Sequence, residues 1–326
     1  MAISLKENMM LALQHKEPEY MPIVSDFDLA NPAGLDFVNE HPSVPGVNLD
    51  WFGQSWTYEP NIGGANPTPG VHLLSDITKW KEDMKFPTFD KMDWEGKAEQ
   101  TTAKWDRDRR PSRLTIGYGL WERLFTIMPF TDALTSLVTE PEACYDFFSA
   151  MADHKIRLHE YCIKYYKPDL LIMHDDYGNN RSLFMSPEVW RELLKPHLKR
   201  VIDHVNSMGV MYEHHCCGHL APLLEEIADL GATAYNNVHI SNNPPELKKR
   251  LGHKITFVGG FDTQFIDNPL TTEEQIRPHV REVIDNMAPG GSWIPRAVLK
   301  TKSKIEIFND ELLKYGATNY YGPRPA

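Results

Sequence analysis

From residue 169 onward, short apolar runs alternate with longer stretches of helical period. Leu170–Met173, Gly209–Tyr212, Thr233–Asn236, Ile255–Val258 and Ser292–Ile294 each read as a buried strand. Between them come helical patterns. One opens at Ser186, an N-cap followed by Pro187, and runs to about Ser207. Leu220–Leu230 is closed by Gly231, Pro245–Arg250 is short, Thr272–Met287 starts like a capping box, and Lys302–Tyr315 is stopped by Gly316. A strand apolar on both faces must be covered on both, and parallel neighbours need a helical crossover between them. The alternation therefore predicts a parallel sheet with helices outside it.

The first half follows the same scheme more loosely. Leu5–Gln14 reads as a helix with Ser4 as N-cap, Met21–Val24 as a first strand and Ser112–Gly117 as the next. Ala133–Leu137 and Glu142–Tyr166 read as helices. About eight β/α pairs in roughly 300 residues fit a closed (β/α)8 TIM barrel, one domain spanning residues 1–326. Residues 28–85 interrupt it. Pro and Gly are frequent there, aromatic residues are scattered and no helical period survives, so the segment reads as a long irregular loop insertion. Its Trp51, Phe52, Trp56 and Tyr58 could line a pocket for a flat ligand or cover one end of the core.

The formal charge of −11 disfavours a polyanionic partner such as nucleic acid. No window approaches the roughly 18 apolar residues of a membrane span, and the N-terminus has no apolar signal core. Four cysteines in 326 residues do not make a disulfide framework; Cys144 and Cys162 fall in helical patterns as buried thiols. The expected compartment is the cytoplasm. Gly-x-Gly-x-x-Gly after a strand and the phosphate-loop pattern are both missing, which removes the usual support for nucleotide cofactors.

In such a barrel the chemistry sits at the carboxyl ends of the strands. Those ends read Asp26 and Asp28; Tyr118, Trp121 and Glu122; His174, Asp175, Asp176 and Tyr177. They continue with Glu213, His215 and Cys217; Asn236, Asn237 and His239; and Asp262 and Gln264. The density of ionisable groups points to an enzyme. In Gly209–His219, His215 and Cys217 stand two apart, so on a strand they face one side and can grip one ion, while His214 and Cys216 face the packing. His239, Glu213 or an aspartate of the 175–176 pair could be a third ligand. Asp175 and Asp176 could bind metal, hold a substrate hydroxyl, act as acid or base, or cap a helix. Asp262, after Gly259-Gly260, could serve a ligand or a helix-entry turn.

These phrases resemble the uroporphyrinogen decarboxylase superfamily, and within it the cobamide-dependent (corrinoid-dependent) methyltransferase branch. The likeness rests on His215-Cys216-Cys217-Gly218, on Glu17-Pro-Glu-Tyr-Met-Pro22 after the opening helix, and on Asp175-Asp-Tyr-Gly178. It extends to Ser186-Pro-Glu188 and Val258-Gly-Gly-Phe-Asp-Thr-Gln264, and is most specific over 169–296. The decarboxylase is the poorer match, because its arginine-rich N-terminal signature is replaced by Ile23-Val-Ser-Asp-Phe-Asp28. The resemblance implies zinc on His215 and Cys217. Where thiol-methylating relatives carry Pro-Gly-Cys, the comparable phrase is Pro289-Gly290-Gly291, so His239 becomes the first choice for the third ligand.

The resemblance further implies a methyltransferase component that demethylates a methoxylated aromatic and passes the methyl group to a separate corrinoid protein. Asp175, Asp176 and Asp262 would be the catalytic carboxylates. Trp51, Trp56, Tyr118, Trp121 and Tyr177 would surround the ring, with Asn180 and Gln264 as further substrate-binding positions. Methyl transfer from methylcorrinoid to a thiol or folate, and decarboxylation without metal, are the alternatives. A homodimer is among the assemblies open to such a chain.

Overall fold

The computed structural model describes residues 3–31, 40–61 and 63–325. Ten strands occur among them. They are β1 (Asp28–Ala30), β2 (Val47–Leu49), β3 (Ser55–Glu59), β4 (Gly64–Pro67), β5 (Ser112–Ile116), β6 (Leu170–His174), β7 (Met211–His215), β8 (Ala234–Val238), β9 (Thr256–Gly259) and β10 (Trp293–Ile294). Seven of these form one sheet in the order β1-β5-β6-β7-β8-β9-β10, every pair parallel. Helices follow the strands and cover the sheet, giving the curled α/β arrangement of a TIM barrel.

Strand alternation divides the core in two. Leu114, Ile116, Leu171, Met173, Tyr212, Tyr235, Phe257 and Trp293 join the large cluster that includes the helix residues Phe147, Met151, Leu198, Val201, Val280 and Ile284. The opposite faces point into the barrel. There Leu170, Ala234, Val258 and Ile294 pack on Met9, Ala12 and Leu13 of the opening helix (Leu5–Leu13) and on Phe27, so that helix plugs the barrel's interior. Its N-terminus is fixed as expected, by a capping box between Ser4 and Glu7.

Four expectations need correction. Met21–Val24 is not a strand: Pro22 has no N–H to give a ladder, and Asp26 Oδ2 takes the Ile23 N–H at 2.9 Å to close a turn. The first strand comes later, at β1, and this puts Asp26 and Asp28 at its amino end, away from the mouth; Arg324 grips Asp26 and Arg110 pairs with Asp28. The helix expected from Ser186 to Ser207 is two, Pro187–Leu193 and Lys195–Ser207, divided where Pro196 removes an N–H. The last helix runs through Gly316 to Asn319; the glycine is buried within it against the end of the Met21 side chain and does not stop it. Finally, Leu220–Leu230 is helical only over Leu224–Asp229.

The insertion is more ordered than its composition suggested. Residues 32–39 and 62 of it lie outside the described residues, but β2, β3 and β4 form an antiparallel sheet. Asp50 closes the β2–β3 turn, its Oδ1 accepting from the N–H of Phe52 and of Gln54 at 2.9 Å. Two wholly buried ion pairs tie this unit to the barrel. Arg123 Nη1 meets Asp50 Oδ2 at 2.7 Å, and Lys155 holds Glu40 while donating to the Gly117 carbonyl at 3.1 Å.

Candidate metal centre

β6, β7 and β8 run in register, with His174 opposite His215 and His215 opposite Asn236. Their side chains share the inward face. Two residues further on, still on that side, come Asp176 and Cys217, and the chain turns at Gly218, whose φ is +73°. One ligand atom each from Asp176, His215 and Cys217 lies within 4.8 Å of the others. His215 Nε2 is 3.3 Å from Cys217 Sγ, and the Cys217 N–H donates to Asp176 Oδ1 at 2.6 Å.

The orientation of His215 is set from below. Its Nδ1 is 3.0 Å from Asn236 Oδ1, and Asn236 Nδ2 donates to Glu213 Oε1 at 2.7 Å. Glu213 in turn faces Arg113 at 3.5 Å. Because the amide must present N–H₂ to the carboxylate, its oxygen faces the imidazole, so Nδ1 carries the proton and Nε2 keeps its lone pair for the mouth. Burial holds His215 well below the usual imidazole pKa, with the charges of His174 and Arg296 adding to it. The His174 ring stacks on His215 at 3.9 Å and 10°, and burial brings its pKa to about 4. Both rings are therefore neutral near pH 7, as ligands must be.

An imidazole nitrogen, a thiol and a carboxylate, with one side open, are the donor set of a catalytic zinc site. The residues fit the ion. Cys217 is the exposed cysteine, its thiol pushed up to about 12 by burial of the sulfur's surroundings and by Asp176 and Glu122. A bound cation would reverse that order by favouring the thiolate. Cys216, fully buried, accepts from the Tyr177 N–H at 3.2 Å, and His214 stacks on Tyr177, so both belong to the packing as expected.

The structure brings Asp176, not His239, beside His215 and Cys217. His239 caps the short turn Ile240–Asn242, with Nδ1 accepting from the Ser241 N–H at 3.2 Å, and it does not join the cluster. The comparison of Pro289-Gly290-Gly291 with a late ligand also fails. These residues precede β10, and a Cβ on Gly291 would lie 2.1 Å from the Lys16 carbonyl at the closed end of the barrel. The mouth position on β10 is two residues past Ile294, and Arg296 holds it. Its Nη1 donates to Asn236 Oδ1 at 2.7 Å. Sequence reasoning missed Arg296, although the same two-residue step that selects Cys217 after His215 selects it.

Asp175 is fully occupied elsewhere. It receives the N–H groups of Leu120 (3.0 Å), Trp121 (3.4 Å) and Glu122 (2.9 Å) and the Tyr177 hydroxyl (2.8 Å). It therefore caps the helix Leu120–Ile127; burial raises its pKa to about 6 against the pull of those donors. Asp176 is also raised to about 6 by burial, opposed by its bonds to Cys217. Glu122 was read at the rim but given no role. Burial, then Asp176 and Asp175, push its pKa well up, and its Oε2 has no partner.

The expected aromatic wall divides. Trp121 and Tyr177 are fully buried, Trp121 against Phe125 and Phe130 and Tyr177 against Trp190 and His214, so neither faces a ligand. Trp51 packs on Phe52, Phe89 and His154. Trp56 and Tyr118 do meet, at 5.4 Å, with His41 edge-on to both. Tyr118 also senses the charges of Glu122 and Asp176, which places this pair beside the cluster. Asp262 caps Thr263–Ile266 through the Phe265 N–H at 2.9 Å; Asn180 and Gln264 are exposed.

A parallel β/α barrel with a three-donor centre at its carboxyl rim defines a class of protein in which the strand ends carry the chemistry. The family model for uroporphyrinogen decarboxylase (URO-D) matches residues 121–295, more than half of the sequence, and the chain belongs to that family. Two curated methylcobamide:CoM methyltransferases (MtaA), from Methanosarcina barkeri and its strain Fusaro / DSM 804, are each 26% identical over 130 residues. That is 39% of this chain and 38% of theirs, so the match spans about two fifths of the length of those relatives. A solved methyltransferase from Methanosarcina mazei shares the fold, with a TM-score of 0.68 over 95% of this chain and 98% of that one, at 15% identity. Among the described residues no helix is long and apolar enough to cross a membrane.

Proposed function

We propose that this chain is the methyltransferase component of a corrinoid-dependent system, which demethylates a methoxylated aromatic and passes the methyl group to a separate corrinoid protein. The observation that carries the reading is the Asp176–His215–Cys217 cluster at the rim. An aryl methyl ether is inert because phenolate leaves poorly. Zinc held by these three residues would supply Lewis acidity at the ether oxygen.

The chain's own groups have defined tasks. Tyr118, half-buried and packed on the buried Trp56, offers a flat face beside the cluster for the ring. Glu122, kept protonated by burial and by its two aspartate neighbours, holds a proton that the departing oxygen needs as the methyl C–O bond breaks. The Asn236–Glu213–Arg113 chain keeps His215 in one tautomer. The nucleophile arrives with the corrinoid protein at the open mouth.

A second reading, methyl transfer from a methylated corrinoid to a thiol, is favoured by the 130-residue likeness to the methylcobamide:CoM methyltransferases. The test is incubation with a reduced corrinoid protein and a panel of methoxyarenes, following the cobalt spectrum. Methylation of the corrinoid supports demethylation. Loss of methyl from a methylated corrinoid only when a thiol is added supports the second reading, and no change in either direction sinks both.

A further inference from the structure

Three arginines, Arg113, Arg123 and Arg296, are withdrawn from solvent to different degrees and are not alike in their partners. Arg113 faces Glu213 and Arg123 is paired with Asp50. Arg296, half-buried at the mouth, meets no carboxylate within ion-pairing distance among the described residues. Its one hydrogen bond is from Nη1 to the neutral Asn236 amide. Its Nε and Nη2 have no partner there, yet they are not sealed from solvent as the unpartnered Nε atoms of Arg113 and Arg123 are.

A guanidinium withdrawn from water without a counter-charge is costly, and a folded chain normally pairs it. Arg296 stands near His174, His215 and Cys217, and the Arg113–Glu213 pair acts on it as well. Glu213 is already taken by Arg113, so Arg296 presents the mouth with a guanidinium that has no carboxylate of its own and two open N–H edges. Planar, doubly donating geometry of this kind matches an oxyanion such as a carboxylate, which takes two parallel N–H bonds.

We infer that Arg296 binds a carboxylate of the substrate and holds it beside the Asp176–His215–Cys217 cluster. For the reaction itself the inference rests on the function proposed above, and it narrows the substrate from a methoxylated aromatic to one that also bears a carboxylate. Arg296 makes the pocket selective: the same ring without its acid loses the guanidinium contact and gains nothing in return.

The test compares binding of a methoxybenzoate and of methoxybenzene by calorimetry, without corrinoid protein, to the zinc-loaded wild type, Arg296→Gln and Arg296→Lys. The wild type is expected to prefer the benzoate at least tenfold. Arg296→Gln should abolish the preference with zinc content unchanged, and Arg296→Lys should retain part of it, because a point charge remains while the fork is gone. A wild type without preference, or an Arg296→Gln protein that keeps it, overturns the inference. Should Arg296→Gln fail to fold, the wild-type and Arg296→Lys proteins decide: equal preference in both overturns the inference. A wild type that prefers the benzoate yet transfers no methyl group overturns the proposed reaction and leaves the role of Arg296 standing. Corrinoid methylation from methoxybenzene as efficient as from the benzoate does the reverse.

Discussion

His215 on β7 and Asn236 on β8 stand directly opposite in register, and a 3.0 Å contact between Nδ1 and Oδ1 joins them. That contact decides which imidazole nitrogen is free. Partners of this kind commonly change metal affinity by about 10–100-fold when removed. Asn236→Ala is therefore expected to lower zinc affinity within that range while leaving His215 and Cys217 in place. Competition with a chromophoric chelator measures it. Unchanged affinity would show that the ring is held by packing against His174 alone.

Asp175 and Asp176 are adjacent carboxylates with opposite tasks. Asp175→Ala leaves three N–H groups at the start of Leu120–Ile127 and the Tyr177 hydroxyl without their acceptor. The expected loss is about 2–4 kcal/mol, since buried donors left unpaired are costly. Gly119→Ala should act on the same contact, because its Cβ would sit 2.5 Å from Asp175 Cγ. Denaturant unfolding should find both variants destabilised; a stable Asp175→Ala would argue that its role is chemical instead.

The division between what could be read from the sequence and what could not follows from how each feature is encoded. Strands such as Leu170-Leu-Ile-Met173 are apolar on both faces, so composition alone marks them, and the His215/Cys217 pair follows from a period of two. Asp175 and Asp176 carry no such mark. Which of two neighbours caps a helix depends on where residues 120–122 arrive in space. Trp51, Trp121 and Tyr177 are equally silent, since an aromatic ring suits a core as well as a ligand. Arg296 was hidden by Pro295 and by the brevity of β10, which blurred where that strand ends.

The insertion hangs on Arg123–Asp50. Asp50 also accepts the Trp56 indole N–H at 3.1 Å, and the Arg123 guanidinium lies 4.4 Å from the Phe52 ring centroid. Breaking a buried pair from one side strands a charge, at a cost of roughly 3–5 kcal/mol. Asp50→Ala should therefore loosen the β2–β4 unit and disturb Trp56 beside the cluster. Limited proteolysis should show earlier cleavage between residues 40 and 70. If the cleavage pattern matches wild type, the pair is not the tether.

His154 supplies a pH dependence remote from the metal donors. It is buried among Trp51, Phe52, Phe86 and Phe89, and burial, then Lys155 and Arg123, hold its pKa well below the ordinary imidazole value of 6.5. A base with a depressed folded pKa gives its full stability above 6.5 and loses it as pH falls toward the folded value, because the unfolded chain takes up the proton first. The loss therefore sets in as pH falls below the ordinary imidazole range. His154→Phe keeps the ring packing and cannot be protonated. Relative to wild type it should gain stability as pH is lowered from 8 to 5 in urea unfolding. A constant difference across that range would mean that His154 titrates normally.

The choice of third ligand separates two variants cleanly. Asp176 faces Cys217 and lies within ligand distance of His215, whereas His239 spends its Nδ1 on the turn Ile240–Asn242. Removing one of three protein ligands from an open site should weaken zinc binding severely, while removing a turn cap should cost about 1 kcal/mol of stability and leave the metal alone. Asp176→Ala is thus expected to lose most of its zinc on dialysis, and His239→Ala to keep it. Metal analysis of the two purified proteins, alongside a His215→Ala/Cys217→Ala control that should hold none, reads the outcome directly. Loss of metal from His239→Ala with retention in Asp176→Ala would require the turn at 240–242 to open and would move the centre toward β8. Because the Cys217 N–H holds Asp176 at 2.6 Å, the three side chains stand together at the ends of β6 and β7, and ligation there has no need of that rearrangement.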